Sequence, residues 1–158
     1  MIYMTKIYAA YGSNLNHEQM SRRCPAAEFI GIGILKNYRM VFRRVADIEY
    51  APDESVQIGL WRVTKKCIAS LDAYEGYPSL YGKGECSIYV GKGKSTKAFI
   101  YFMNAGDYQP PSDTYFESIA QGYEDCGINQ RALTRSYELT ENLWFEQMHP
   151  QKELDASV

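Results

Sequence analysis

Two hydrophobic periods alternate along the chain, and the switches between them mark out its elements. Lys6-Ile-Tyr-Ala-Ala-Tyr11 is a short apolar run stopped by Gly12, the pattern of a buried strand. His17 to Arg23 is short and polar and predicts one or two helical turns capped by Asn14 or Asn16. Ala27 to Leu35 is apolar with interrupting glycines, and Tyr38 to Arg44 alternates, so two strands joined by a Lys36-Asn37 turn are expected. Val56 to Val63 alternates in part and predicts a further strand. Thr64 then caps a helix whose apolar positions Cys67, Ile68, Leu71 and Tyr74 return every three to four residues, and Gly76 stands where a helix C-terminus takes glycine. Glu85–Val90 and Lys97–Met103 predict strands around the turn at residues 91–94. Pro110-Pro111 ends the strand region, Ser112 caps a helix with Tyr115, Ile119 and Tyr123 on one face, and Asn129 caps a last helix running to about Trp144.

This order of elements predicts an α+β fold, with enough short strands to curl into a small mixed β-barrel flanked by helices. No repeat, low-complexity stretch or linker interrupts it, so residues 1–150 read as one domain and the polar residues 151–158 as a tail. A chain of 158 residues buries roughly two-thirds of its unfolded surface, so a true core is available. A formal charge of -2 and a pI near 5.7 give no reason to expect nucleic acid or an anionic membrane as partner. The pairs Arg22-Arg23 and Arg43-Arg44 read as solvated surface. The N-terminus lacks the pattern of a signal peptide, and no stretch approaches the roughly 20 apolar residues of a membrane span. Cys24, Cys67, Cys86 and Cys126 are dispersed without C-x-x-C pairing, which points to a reduced, cytoplasmic setting. Cys67, on the apolar stripe of its helix, reads as a small core residue.

The chain holds 14 tyrosines, each joining apolar bulk to a hydroxyl that needs a partner. They suit the rim of a β-rich core or the wall of a polar cleft. Glu75 is the carboxylate whose position stands out. It sits in the last turn of its helix, at the negative end of the helix dipole, beside Tyr74 and Tyr77, which favour partial burial. Both effects raise a carboxyl pKa, the direction a base working near neutral pH requires. Gly12-Ser13-Asn14 is either an ordinary strand-to-loop turn or a nest of backbone N–H groups able to hold a carboxylate or an oxyanion. Ser13 lacks the G-x-S-x-G frame of a nucleophile, and a Ser–His pair would have to recruit His17 or His149. His17-Glu18 is not the start of H-E-x-x-H, since Ser21 stands where the second histidine would be, so no metal is expected.

These residues resemble the γ-glutamylcyclotransferase superfamily. Tyr8-Ala-Ala-Tyr-Gly-Ser-Asn-Leu15 is similar to its substrate-binding loop, and Leu71-Asp-Ala-Tyr-Glu-Gly76, followed by Tyr81, to the segment bearing its catalytic glutamate. Ala98 to Met103 matches the strand that carries its active-site tyrosine. Pro111-Ser112 with Tyr115, Ile119, Gly122 and Gly127-Ile128 matches the helix that follows. The blocks run in order from residue 7 to about residue 135.

The resemblance implies a small mixed β-barrel with one open cavity. It also implies cyclisation of a γ-glutamyl compound to 5-oxoproline and a free amine or amino acid, without cofactor, by a monomer or a homodimer. Glu75 would be the general base and then the general acid. Tyr8, Ala9, Ala10, Tyr11, Gly12, Ser13 and Asn14 would hold the glutamyl end, with Tyr101 giving its hydroxyl to the substrate or to Glu75, and Tyr115 nearby. The loop between Glu75 and Tyr81 is shorter than in mammalian-type glutathione-cycle enzymes. The amine partner therefore stays open among γ-glutamyl amino acids, γ-glutamylamines and larger γ-glutamylated metabolites. The alternatives are a non-catalytic binder of the same fold and an amide-cleaving enzyme with Ser13 or a cysteine as nucleophile.

Overall fold

The computed structural model describes residues 4–103 and 105–150, so the tail at 151–158 and the first three residues lie outside the described region. Its elements in chain order are β1 (Thr5–Ala10), a 3-10 turn (Ser13–Leu15), α1 (His17–Arg23), β2 (Glu28–Arg43), β3 (Val45–Thr64), α2 (Lys65–Glu75), β4 (Gly82–Gly91), β5 (Lys94–Phe102), α3 (Asp113–Cys126) and α4 (Gln130–Met148). The strands pair in the order β1-β3-β2-β4-β5 and the pairings close on themselves. Every pairing is antiparallel except β1 with β5. The anticipated barrel is thus a mixed ring with two narrow seams, where β2 meets β4 at Ile34↔Tyr89 and β1 meets β5 at Tyr8↔Phe99.

The local signals set the helix ends as expected. Asn16, rather than Asn14, caps α1 by accepting from the Gln19 N–H. Thr64, Ser112 and Asn129 cap α2, α3 and α4 in the same way, and Gly76 closes α2 in the left-handed conformation. The last helix runs on to Met148, beyond Trp144. The largest departure is in the strands. Lys36-Asn37 is not a turn: β2 passes through it as one 16-residue strand, and it pairs with a 20-residue β3. The register slips there, with Lys36 opposite Ser55 and Tyr38 opposite Tyr50, and Asn37 takes φ 66° with its side chain accepting from the Asp53 N–H. A bulge and a turn share the same residue chemistry. The reversal comes at Arg44, with φ 69°, between the paired Arg43 and Val45.

The core fills the ring and the layer beneath α3, with Phe42, Ile58, Val63, Ile88, Ile119 and Tyr123 almost wholly buried. The helix α3 is pressed directly on the 3-10 turn. A Cβ at Gly122 would lie 2.6 Å from the Asn16 nitrogen and 2.7 Å from the Leu15 carbonyl carbon, so only glycine allows that approach. The Asn16 side-chain amide also donates to the Ser118 carbonyl at 3.1 Å. This contact locks the turn after β1, where the site begins. Among the described residues, no helix is long and apolar enough to cross a membrane.

Candidate active site

A cleft of about 180 Å³ gathers Tyr8, the segment Tyr11–Asn14, Val45 and Ala46 at the hairpin tip, Tyr74 and Glu75 from α2, Leu80, Tyr81, Tyr101 of β5 and Tyr115 of α3. The separate sequence candidates therefore meet in one place. Ala9 and Ala10 do not line the cleft; they are 0% and 1% exposed and pack in the core that carries the turn. A larger groove of about 650 Å³ lies over β1, β4 and β5, and three of the four cations that line it are ion-paired: Arg62 with Glu28, Lys83 with Asp72 and Lys97 with Glu85.

The turn is held from three sides. Asn14 donates to the Tyr8 hydroxyl at 3.0 Å, accepts from the Arg23 guanidinium at its side chain, and accepts from the Trp61 indole N–H at its carbonyl at 3.0 Å. The turn's own bonds use the N–H groups of Leu15 and Asn16, to the carbonyls of Gly12 and Ser13. As at any helix start, the preceding N–H groups have no partner within the turn. Gly12 is also a close-packing point, where an added Cβ would lie 3.1 Å from that of Ala46 and 3.4 Å from the Tyr115 hydroxyl.

Ala46, across the cleft, is gripped by two tyrosines. Tyr81 donates to its carbonyl at 2.7 Å, and its N–H donates to the Tyr115 oxygen at 3.1 Å. Tyr11 donates to the Tyr101 carbonyl at 2.7 Å. Burial raises the hydroxyls of Tyr8, Tyr11, Tyr81, Tyr101 and Tyr115 above the usual phenol range, so all of them stay protonated. Composition left open whether the tyrosines line a core or a cleft, and here they do both.

Glu75 is the only charged side chain in the cleft wall among the described residues. Burial pushes its carboxyl from the ordinary 4.5 up to about 7, against a lowering pull from Arg23. The direction matches the sequence expectation, and the cleft wall brings in more than the two neighbouring tyrosines. Tyr77, 40% exposed, is not part of the cleft wall, and Tyr74, 45% exposed, is one of several tyrosines in it. The cleft that Glu75 faces is walled by Tyr8, Tyr11, Tyr81, Tyr101 and Tyr115 and by the hairpin tip, none of them its chain neighbours.

Two further expectations need correction. Arg23 and Arg43 are not solvated surface. Arg23 lies 3.5 Å over the Tyr74 ring and bonds Asn14, while the Arg43 side chain is 9% exposed and ion-paired to Asp47 and Glu49. Their neighbour Arg22 stays 74% exposed and Arg44 is exposed too. The Tyr101 hydroxyl meets neither Glu75 nor empty space; it donates to Asp72 at 2.6 Å. Asp72 is in turn held by the Lys83 ammonium at 2.9 and 3.1 Å. Sequence reasoning passed over Asp72, Lys83, Val45 and Ala46. The one available signal was that Asp72 precedes Glu75 by three residues and so shares its helix face.

The other candidate nucleophiles and bases lie elsewhere. The His17 ring packs on Phe29 and Trp61, with centroids 4.6 and 5.0 Å away, and His149 stacks on Phe145 at the end of α4. No cysteine lines the cleft, and burial pushes the Cys24, Cys86 and Cys126 thiols up to about 12, 11 and 12. Cys67 is buried at 3% exposure, as its helix stripe predicted.

A family model described as "Gamma-glutamyl cyclotransferase, AIG2-like" matches residues 8–122, a span that contains the whole cleft. The chain belongs to that family. It is an enzyme of the cyclotransferase type. It is 31% identical over 139 residues to a gamma-glutamylcyclotransferase of Mus musculus, covering 80% of this chain and 74% of the relative. A gamma-glutamylcyclotransferase of Bos taurus is 29% identical over 135 residues, covering 77% and 72%. A solved structure of a gamma-glutamyl cyclotransferase superimposes with a TM-score of 0.76 at 25% identity, covering 98% of this chain and 92% of that one.

Proposed function

We propose that the protein cyclises a γ-glutamyl compound, releasing 5-oxoproline and a free amine or amino acid, with Glu75 moving the proton. The observation that carries this reading is a half-buried carboxyl raised to about 7, sharing one small cleft with the Gly12–Asn14 turn. A γ-glutamyl compound already contains its nucleophile, the α-amino group, four bonds from the γ-carbonyl carbon, so that attack closes a five-membered ring. The protein must hold it in attack geometry and move protons from the α-nitrogen to the leaving nitrogen.

Glu75 takes a proton from the α-ammonium. The freed amine attacks the γ-carbonyl carbon, a new C–N bond closes the ring, and the carbonyl electrons collect on its oxygen. As they return, the original amide C–N bond breaks and Glu75 passes its proton to the leaving nitrogen. The ring nitrogen still carries two hydrogens; Glu75, again ionised, takes one of them, which leaves the neutral lactam of 5-oxoproline, and the proton passes on to the free amine, which departs as an ammonium. A carboxyl near 7 is available in both states at neutral pH, which suits a group that must accept and then give. The Gly12 and Ser13 amides are nearest the anionic oxygens of the glutamyl end. Tyr115, whose oxygen already accepts from the Ala46 N–H, keeps its own proton for the developing oxyanion. A cytoplasmic setting fits the four free cysteines.

Incubation with a panel of γ-glutamyl amino acids and γ-glutamylamines, with detection of 5-oxoproline, tests the reading. Release from at least one member supports it. Hydrolysis to free glutamate without 5-oxoproline would replace cyclisation by attack of water.

A further inference from the structure

Beside the cleft, the partly buried chain Lys83–Asp72–Tyr101 takes no part in the proposed reaction. It joins β4, α2 and β5. Lys83 stands directly opposite Tyr101 in the β4–β5 ladder, and both reach the same carboxylate one helical turn before Glu75. Asp72 and Lys83 are only 27% and 23% exposed, and Tyr101 is 2% exposed. An ionised carboxylate can only accept hydrogen bonds. The Tyr101 proton is therefore committed to Asp72, and what Tyr101 offers the cleft is its oxygen lone pairs.

We propose that Asp72 and Lys83 are positioning residues that turn Tyr101 into a hydrogen-bond acceptor for the substrate's α-ammonium group. This rests on the cyclotransferase reading of the site. It also reverses the role first expected for Tyr101, that of donating its hydroxyl to the substrate. The chemistry supports the reversal. An α-ammonium has three N–H donors, and Glu75 takes only one of these protons before the ring closes. A phenol whose proton is held by a carboxylate is a stronger acceptor than a free one, because hydrogen bonds in a chain polarise one another. Lys83 holds the carboxylate in place by an ion pair with both oxygens. The ammonium is thereby aimed at Glu75, on the same face of α2. The site divides its tyrosines by proton direction: Tyr115 accepts from the backbone and faces the cleft as a donor, while Tyr101 donates to Asp72 and faces it as an acceptor.

The test is a double-mutant cycle with a binding comparison. Asp72→Asn should lower kcat/KM about tenfold or more in the native background and less than about twofold in a Tyr101→Phe background, since the interaction it serves is already gone. Lys83→Met should follow the same pattern, and Lys83→Arg should restore most of the activity. Binding is then measured by calorimetry in the Glu75→Gln background with γ-glutamylalanine and N-glutarylalanine, which lacks only the α-amino group. Tyr101→Phe should weaken the first about tenfold and leave the second nearly unchanged. Equal losses from Asp72→Asn in both backgrounds, or equal weakening of both ligands, would overturn the assignment even where 5-oxoproline is formed. Absence of 5-oxoproline from every γ-glutamyl compound would instead overturn the reading of the site.

Discussion

Glu75 and Glu49 are both largely withdrawn from water, and the molecule drives them in opposite directions. Glu75 has no cation in its cleft wall, only the more distant Arg23, and burial lifts its carboxyl to about 7. Burial pushes Glu49 up too, but Arg39, Tyr108 and Arg43 more than reverse it and hold the carboxyl below its usual range. Arg39 reaches Glu49 at 2.7 Å, Arg43 at 2.8 Å and the Tyr108 hydroxyl at 2.8 Å. Arg43 also pairs with the fully buried Asp47 at 2.8 Å, and Asp47 accepts from the Met103 N–H. That network pins the hairpin tip to the segment after β5, and Ala46 of the tip forms the far wall of the cleft. Satisfied charge builds the wall, and unsatisfied charge faces the space it encloses. A buried acid becomes structural or chemical according to whether its partners are supplied.

The contrast can be broken from either side. The largest effect is expected at Glu75. Glu75→Gln keeps the shape and removes the proton carrier, so turnover should fall by about 10²-fold or more while ligand binding persists. Near-normal 5-oxoproline release from this variant would sink the mechanism. The native enzyme should also lose activity as pH falls through about 7, where Glu75 becomes protonated.

Next comes the structural counterpart. Arg43→Met leaves Asp47 and Glu49 short of their shared cation and should destabilise the fold by about 3–5 kcal/mol. Urea unfolding with an unchanged m-value measures it, and a loss below about 1 kcal/mol would mean the network is dispensable.

A subtler consequence concerns pH and stability. The folded-state pKa of Glu75 is raised from 4.5 to about 7, so between these values the native state binds more protons than the unfolded chain. Stability from this group is therefore intact at low pH and declines as pH rises through that window. The stability of Glu75→Gln relative to the native protein should climb between pH 4.5 and 7 and level off above it. Thermal unfolding at several pH values decides this, and a difference that stays flat would place Glu75 in contact with water. The smallest change is Tyr108→Phe, which removes one of the bonds to Glu49 and leaves its arginines, for about 1 kcal/mol.

Much of this molecule could be read locally. Thr64, Ser112, Asn129 and Gly76 bound their helices because a cap is a contact across two or three residues, and the sequence contains it whole. The turn at 12–14 and Glu75 were legible as chemistry because each carries its own short frame, a strand stopped by glycine and an acid before a helix-ending glycine. The strand pair β2–β3 was misread as three shorter pieces because Asn37 serves a bulge as readily as a turn, and only the partner strand distinguishes them. Arg23 and Arg43 looked like surface for a similar reason. Neither Arg22 and Arg23 nor Arg43 and Arg44 differ in kind, and what buries one of each pair is a partner from another element.

The sequence by itself thus determined the helix caps, the α+β class and the two chemical motifs, all of which depend on neighbours in the chain. Tertiary structure alone decided which acid would be neutralised and which left exposed to the cleft, that Asp72 rather than Glu75 receives the Tyr101 proton, and that Ala46 forms a wall. The last two depend on partners 29 to 69 residues away, and the first on burial and on how one hairpin sets Glu49 against Arg43 and Arg39, 6 and 10 residues away in the chain. The energy of a charge is set by the medium and groups around it in space, and no local pattern encodes those.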